Sequence, residues 1–133
     1  MEPIELTARR EALGLTIAGL AKHLEIRESN LARWEGGTYE PRDWDWIDEA
    51  LERLERYQDE EYQRLRSLAD EEGLEGEGPT GRIRTYGSNG DLWSAHACAK
   101  QLRIPAVVHR TAAARAAVAF RADHGKPADI ETA

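Results

Sequence analysis

The chain has 133 residues, 41% of them apolar and 32% charged, with a formal net charge of −7; that length suits one modest core, or a small domain with an accessory module. Mean hydropathy is −0.67, no apolar run approaches the roughly 18 residues that span a bilayer, and no secretory signal is visible, so a cytoplasmic protein without a membrane role is expected. The single cysteine, Cys98, excludes an internal disulfide and a CxxC zinc site.

The acidity is uneven. Residues 1–43 hold six Arg/Lys against eight Asp/Glu, residues 44–77 four against thirteen, and residues 78–133 eight against four. Such a balance argues against unspecific coating of nucleic acid but leaves room for a local basic face.

In chain order, residues 4–13 predict a first helix with Leu6, Leu13 and the alanines inward and Arg9 and Arg10 outside. Gly14 closes it, and Thr16 caps a second helix whose apolar face is Leu20, Ala21 and Leu24. Glu25 and Ile26 make a tight turn, with Ile26 as an apolar plug. A third helix from near Arg27 puts Leu31 and Trp34 on its buried side and Arg27, Glu28, Ser29, Asn30 and Arg33 on the other. Gly36-Gly37 ends it, because glycine tolerates the left-handed conformation common after a helix.

This is the spacing of a helix-turn-helix, whose second helix enters the DNA major groove. Arg bonds guanine bidentately, Asn does the same to adenine, and Ser lets the backbone approach, so Arg27, Ser29, Asn30 and Arg33 are the expected base-edge contacts. Thr16, Lys22, Thr38 and Arg42 are expected on the phosphate backbone, where contacts carry affinity but little sequence information.

The string A-R-R-E-A-L-G-L-T-x-x-x-L-A-x-x-L-x-I-x-x-x-x-L-x-R-W-E-x-G, Ala8 to Gly37, resembles the Cro/C1-repressor-like (XRE) helix-turn-helix family. The resemblance implies a bundle of four or five helices and sequence-specific DNA binding by a dimer. Ile17 stands where the family usually has Gln, and Glu28 where Arg or another polar residue is frequent.

Pro41 stops the third helix from continuing. From Trp44 to about Glu72 there is no Gly or Pro, and Ile47, Leu51, Leu54, Leu65 and Leu68 follow a three-four spacing. That predicts one long acidic amphipathic helix capped by Asp43, with Glu60-Glu61 on its solvated face. Residues 73–81 hold four glycines and a proline and read as a linker. Beyond it the sequence predicts a strand at 82–86, a helix from Asp91 to near Arg103, an alanine-rich helix over about 111–124, and a frayed last eight residues.

The motifs I-R-T-Y, D-L-W-S-A-H and I-P-A-V-V-H-R-T-A-A-A-R-A-A-V-A, following the first half, resemble the two-part anti-CRISPR-associated (Aca-type) phage autoregulators and related bacterial regulators. That resemblance implies a C-terminal dimerisation part and repression of the protein's own operon through an inverted repeat, with RNA binding in some members. Leu92, Trp93, Val107, Val108, Val118 and Phe120 are the apolar residues offered for dimerisation. A-K-H-L-E-I at 21–26 echoes A-K-Q-L-R-I at 99–104, but a second helix-turn-helix would put His109 and Ala112 where Leu31 and Trp34 anchor the first.

His23, His96, His109 and His124 fall in no ligand spacing, and no Walker, GxGxxG or GxSxG motif is present. No catalytic residue, metal site or cofactor is therefore expected, and the chain is not read as an enzyme. The expected organisation is mainly α: a helix-turn-helix domain at 1–57, the end of the long linking helix and a linker at 58–81, and a small α+β dimerisation module at 82–133. The expected function is an autoregulating repressor, partnered by operator DNA and a second copy of itself. Two alternatives stay open: an antitoxin-like regulator whose acidic helix binds a basic protein, and an RNA-binding regulator using Arg82, Arg84 and Tyr86.

Overall fold

A computed structural model describes residues 1–133. It is mainly helical, with seven α-helices and two short strands, and its backbone divides into two compact units, Met1–Arg56 and Tyr57–Ala133.

The first unit contains α1 (Pro3–Ala12), α2 (Ile17–Leu24), α3 (Glu28–Glu35) and the start of α4 (Asp45–Asp70). Pro3 opens α1, where its missing N–H costs nothing. Thr16 caps α2 by accepting the Gly19 N–H at 2.9 Å. Glu25 then turns the chain in the left-handed region, φ 58°, and the Ile26 N–H bonds back to the Ala21 carbonyl at 3.0 Å. Gly37, at φ +75°, supplies the left-handed step after α3. The core is Leu6, Leu13, Leu20, Leu31, Ile47 and Leu51, all without solvent exposure. Trp34 is only half-buried, contrary to expectation; its ring meets Trp46 edge-on at 6.4 Å between centroids, which leaves part of it facing solvent. Asp43 Oδ1 accepts the Asp45 N–H at 2.9 Å at the start of α4, as its sequence position predicts.

Arg9 and Arg10 do not remain outside as free charges. Arg9 bonds Asp48 and both carboxylate oxygens of Glu55. Arg10 forks onto both oxygens of Glu35, at 2.9 Å each, and reaches the Leu15 carbonyl at 2.8 Å. Thr7 donates to the same Glu35 at 2.8 Å. The Glu of the W-E-x-G ending thus ties α3 to α1.

The second unit is built from the rest of α4, β1 (Arg82–Thr85), α5 (Asn89–Ala95), α6 (Ala97–Gln101), α7 (Ala106–His124) and β2 (Asp129–Thr132). Tyr62, Leu65 and Ala69 of α4 pack with Ile83 of β1 and with Ala112, Ala113, Ala116 and Phe120 of α7. The small α7 residues permit that approach. Leu68, expected on the apolar seam, lies 40% exposed, and Glu61, expected on the solvated face, is buried.

Residues 73–81 are not a loose linker. Gly73 and Gly78 bond across a turn at 2.6 Å, the Thr80 N–H reaches the Glu71 carbonyl at 2.8 Å, and Gly81 sits at φ +63° against the Phe120 ring. The last residues are not frayed either: β2 runs parallel to β1 with Ile83 opposite Ile130, because β1 offers an edge that would otherwise be unpaired. The single helix expected over 91–103 breaks at His96, whose backbone is extended (φ −123°, ψ 104°). The alanine-rich helix starts at Ala106 rather than near 111, since Asn89 Oδ1 accepts the Ala106 N–H at 2.7 Å and so caps it from a distance.

The internal echo is a repeated turn. Arg103 adopts φ 53° as Glu25 adopts 58°, and the Ile104 N–H bonds the Ala99 carbonyl at 2.9 Å as Ile26 bonds Ala21. The anchor position is not lost: His109 stands where Leu31 does and is fully buried. The likeness ends on the outer face, because α7 buries Val108 where α3 exposes Asn30.

Candidate DNA-binding surface

Leu31 is the one buried residue of α3. With 3.6 residues per turn, burying that side forces the opposite side out, and Arg27, Glu28, Ser29, Asn30 and Arg33 are all exposed. The four expected base-contacting side chains therefore lie together on one eight-residue helix and its N-cap, Arg27. Ala21, 2% exposed, is small enough to let α2 and α3 close around the turn.

Around this helix stand the expected backbone contacts. Lys22 on α2 and Thr38 and Arg42 in the following loop are exposed. Thr16 is exposed too, with its hydroxyl engaged in the helix cap. The Arg33 guanidinium lies 5.6 Å from the Tyr39 ring centroid, a cation–π contact that holds it in place without consuming its hydrogen-bond donors. Asn30, Arg33, Tyr39, Pro41 and Arg42 line one shallow groove. Glu28 adds an acidic group to the first turn of α3, where it favours the helix N-terminus and opposes a nearby phosphate.

Sequence reasoning missed what holds this surface still. The hydrogen bonds that Arg10 donates to Glu35 raise the pKa of Arg10 over the opposing effect of burial, and the two side chains are only 12% and 7% exposed. The signal was the Glu of W-E-x-G, twenty-five residues after Arg10 of the first helix, legible only once α1 and α3 are paired.

The residues offered for dimerisation divide by burial. Leu92, Val108 and Phe120 are fully enclosed in the second unit's own core and cannot meet a partner without unfolding it. Trp93 is half-buried, with its indole N–H on the Ile104 carbonyl at 2.8 Å, and Val107 is also half-buried. Val118 is 69% exposed. Of the strand residues considered for RNA, Arg82 pairs with Glu131 at 3.2 Å, Arg84 is exposed, and the Tyr86 hydroxyl turns to His96 at 3.1 Å.

The second unit also holds a polar cluster of buried Tyr57, Glu61 and His109, half-buried His96 and exposed Arg64. Burial works against the Glu61 charge, but the His109 ring and the Arg64 guanidinium prevail and hold its pKa down at about 2. Burial raises the Tyr57 hydroxyl, and Glu61 beside it adds to the shift; burial lowers the His96 imidazole, with Glu61 opposing.

No helix is long and apolar enough to cross a membrane. No curated protein and no solved structure matches the chain. Residues 4–65 match the family model for a helix-turn-helix domain, and this match, with the exposed polar face of α3, supports a DNA-binding regulator.

Proposed function

We propose that the protein is a sequence-specific transcriptional repressor that binds an inverted repeat as a homodimer, near its own promoter, in the cytoplasm, and that it is a binding protein rather than an enzyme. The observation that supports this reading is the division of α3: Leu31 is fully buried while Arg27, Ser29, Asn30 and Arg33 are all exposed. A helix held rigidly by one face offers the other to base edges at little conformational cost. Two such helices about one DNA turn apart read two half-sites related by a twofold axis, and a dimer seated on a promoter excludes polymerase by occupancy. The sequence likeness to phage autoregulators supports placing the operon on a phage or mobile element.

The test is a gel shift on the DNA immediately upstream of the gene, at several salt concentrations, with a scrambled duplex as control. Specific retardation of the upstream DNA, with an inverted repeat protected in a footprint, is expected. Equal binding of both duplexes removes the reading. Lys22 and Arg42, the exposed cations not assigned to base edges, give one copy about two charged phosphate contacts, so log K against log salt should fall with a slope of about −2 for one copy and about −4 for two.

A further inference from the structure

The strongest feature outside the DNA-binding surface is the buried cluster of the second unit. Glu61 reaches it from α4, His96 from the break between α5 and α6, and His109 from α7. Glu61 Oε2 receives the Arg64 guanidinium at 2.5 Å. Its other oxygen, Oε1, faces His96 Nδ1 at 3.0 Å, His109 Nε2 at 3.5 Å and the Tyr57 hydroxyl at 3.4 Å, and also accepts from Arg64 Nη2 at 3.4 Å. The Tyr57 hydroxyl is in turn 3.5 Å from His96 Nδ1.

Hydrogen bonding alone leaves this arrangement incomplete. His109 is fully enclosed, and its Nε2 makes no hydrogen bond; the 3.5 Å approach to Glu61 is electrostatic and too loose to count as one. A buried polar nitrogen without a partner is costly and calls for a reason. The outer side of each ring, by contrast, is engaged. His109 Nδ1 is 2.7 Å from Thr85 Oγ1 and His96 Nε2 is 3.1 Å from Tyr86 Oη. Such outer contacts fix ring orientation, and the tautomers that donate outward to these hydroxyls leave the inner nitrogens to offer lone pairs, which is how metal-binding histidines are held. The break at His96 delivers that ring inward, where an unbroken helix over 91–103 was expected.

The spacing fits one ion. Tetrahedral zinc with bonds of roughly 2.0–2.1 Å sets its ligand atoms about 3.3 Å apart. Of the six separations among the Glu61 oxygen, the His96 nitrogen, the His109 nitrogen and the Tyr57 hydroxyl, four lie at 3.0, 3.4, 3.5 and 3.5 Å, and the two ring nitrogens lie within 4.8 Å of each other, so a bound ion draws them closer. Two imidazoles and one carboxylate favour zinc or a neighbouring transition metal over calcium or magnesium, which prefer all-oxygen sets. Of the four groups only His96 reaches an open cavity of about 400 Å³, which Arg64, Arg84 and Tyr86 also line.

We propose that the second unit holds one divalent transition-metal ion, zinc in the first instance, through Glu61 Oε1, His96 Nδ1 and His109 Nε2, with the Tyr57 hydroxyl at the fourth corner. The ion joins α4, the α5–α6 break and α7 at one point and gives the buried His109 nitrogen its partner. Its role is structural, and it stands independently of the DNA-binding proposal.

The test uses the full chain, stripped with chelator and titrated with Zn²⁺ and, separately, Co²⁺. One equivalent per chain is expected, with the intense visible bands of low-coordinate cobalt rather than the pale octahedral spectrum, and with melting of the second unit shifted upward reversibly on adding and chelating Zn²⁺. His96→Gln, at the accessible edge of the cluster, should weaken Zn²⁺ binding about 100-fold or more, and Thr85→Val, which removes only the outer contact of His109, about 10- to 100-fold. Cys98→Ser and His124→Gln should bind as the parent does. Circular dichroism of the metal-free variants checks that the fold is intact, and Thr85→Val serves if His96→Gln is not folded. Absence of stoichiometric binding, an octahedral cobalt spectrum, parental affinity in folded His96→Gln or Thr85→Val, or loss of binding in Cys98→Ser overturns the proposal.

Discussion

Removing the carboxylate of Glu35 should unfold the first unit more readily than removing any exposed residue of α3. Glu35 accepts two hydrogen bonds from Arg10 and one from Thr7, and the ion pair lies with side chains 12% and 7% exposed. In Glu35→Ala the Arg10 charge keeps only the Leu15 carbonyl, at 2.8 Å. Breaking a buried ion pair by deleting one partner costs about 3–5 kcal/mol; because Arg10 retains that carbonyl and some solvent, about 3 kcal/mol is expected. Trp34, Trp44 and Trp46 lie in the first unit and Trp93 in the second, so in a Trp93→Phe background tryptophan fluorescence reports on the first unit alone. Urea titration of that background with and without Glu35→Ala gives the difference directly. A change below about 1 kcal/mol would mean the pair behaves as an exposed one, and the account of α3 as locked to α1 would be withdrawn.

Four further outcomes follow from the same geometry. Arg33→Ala should lose about 1–3 kcal/mol of operator binding with little change on random duplex, measured by fluorescence anisotropy on both. Lys22→Ala should weaken both duplexes alike and reduce the salt slope by about one per copy. Leu31→Ala, which empties a fully buried site, should destabilise the first unit by about 2–5 kcal/mol in the same urea assay. Gly81→Ala places a methyl 3.1 Å from two Phe120 ring carbons at φ +63°, and a loss of about 1–3 kcal/mol should appear in denaturation of the second unit followed by circular dichroism.

The parts of the fold legible in the sequence were those fixed by local periodicity and capping. Thr16, Leu20, Ala21 and Leu31 lie within a few residues of the contacts they make, so the helix-turn-helix could be read from spacing alone. What escaped was set at long range. Nothing near Arg10 indicates Glu35, twenty-five residues away. Nothing near residue 129 announces that it pairs with Arg82. Glu61 reads as half of an exposed acidic pair until α5 and α7 bring two imidazoles to it. The alanine-rich stretch has little amphipathic signal because alanine is acceptable on either face, so its start was set by a cap from Asn89 rather than by its own pattern.

The same distinction explains how a chain of net charge −7 can present a DNA-binding face. Sequence counting treats every arginine as available, whereas the fold commits Arg9 and Arg10 to Asp48, Glu55 and Glu35 within the first unit, two positive charges against three carboxylates. Lys22, Arg27, Arg33 and Arg42 are left exposed on α2, α3 and the loop after it. With so few cations the sequence-independent part of binding is small, since that part scales with the phosphates neutralised. In the proposed dimer, discrimination then comes from the short polar face of α3 and useful affinity from engaging two half-sites at once. A low net positive charge on this surface therefore favours selectivity: it weakens attachment to random duplex more than attachment to a sequence that Asn30 and the arginines can read.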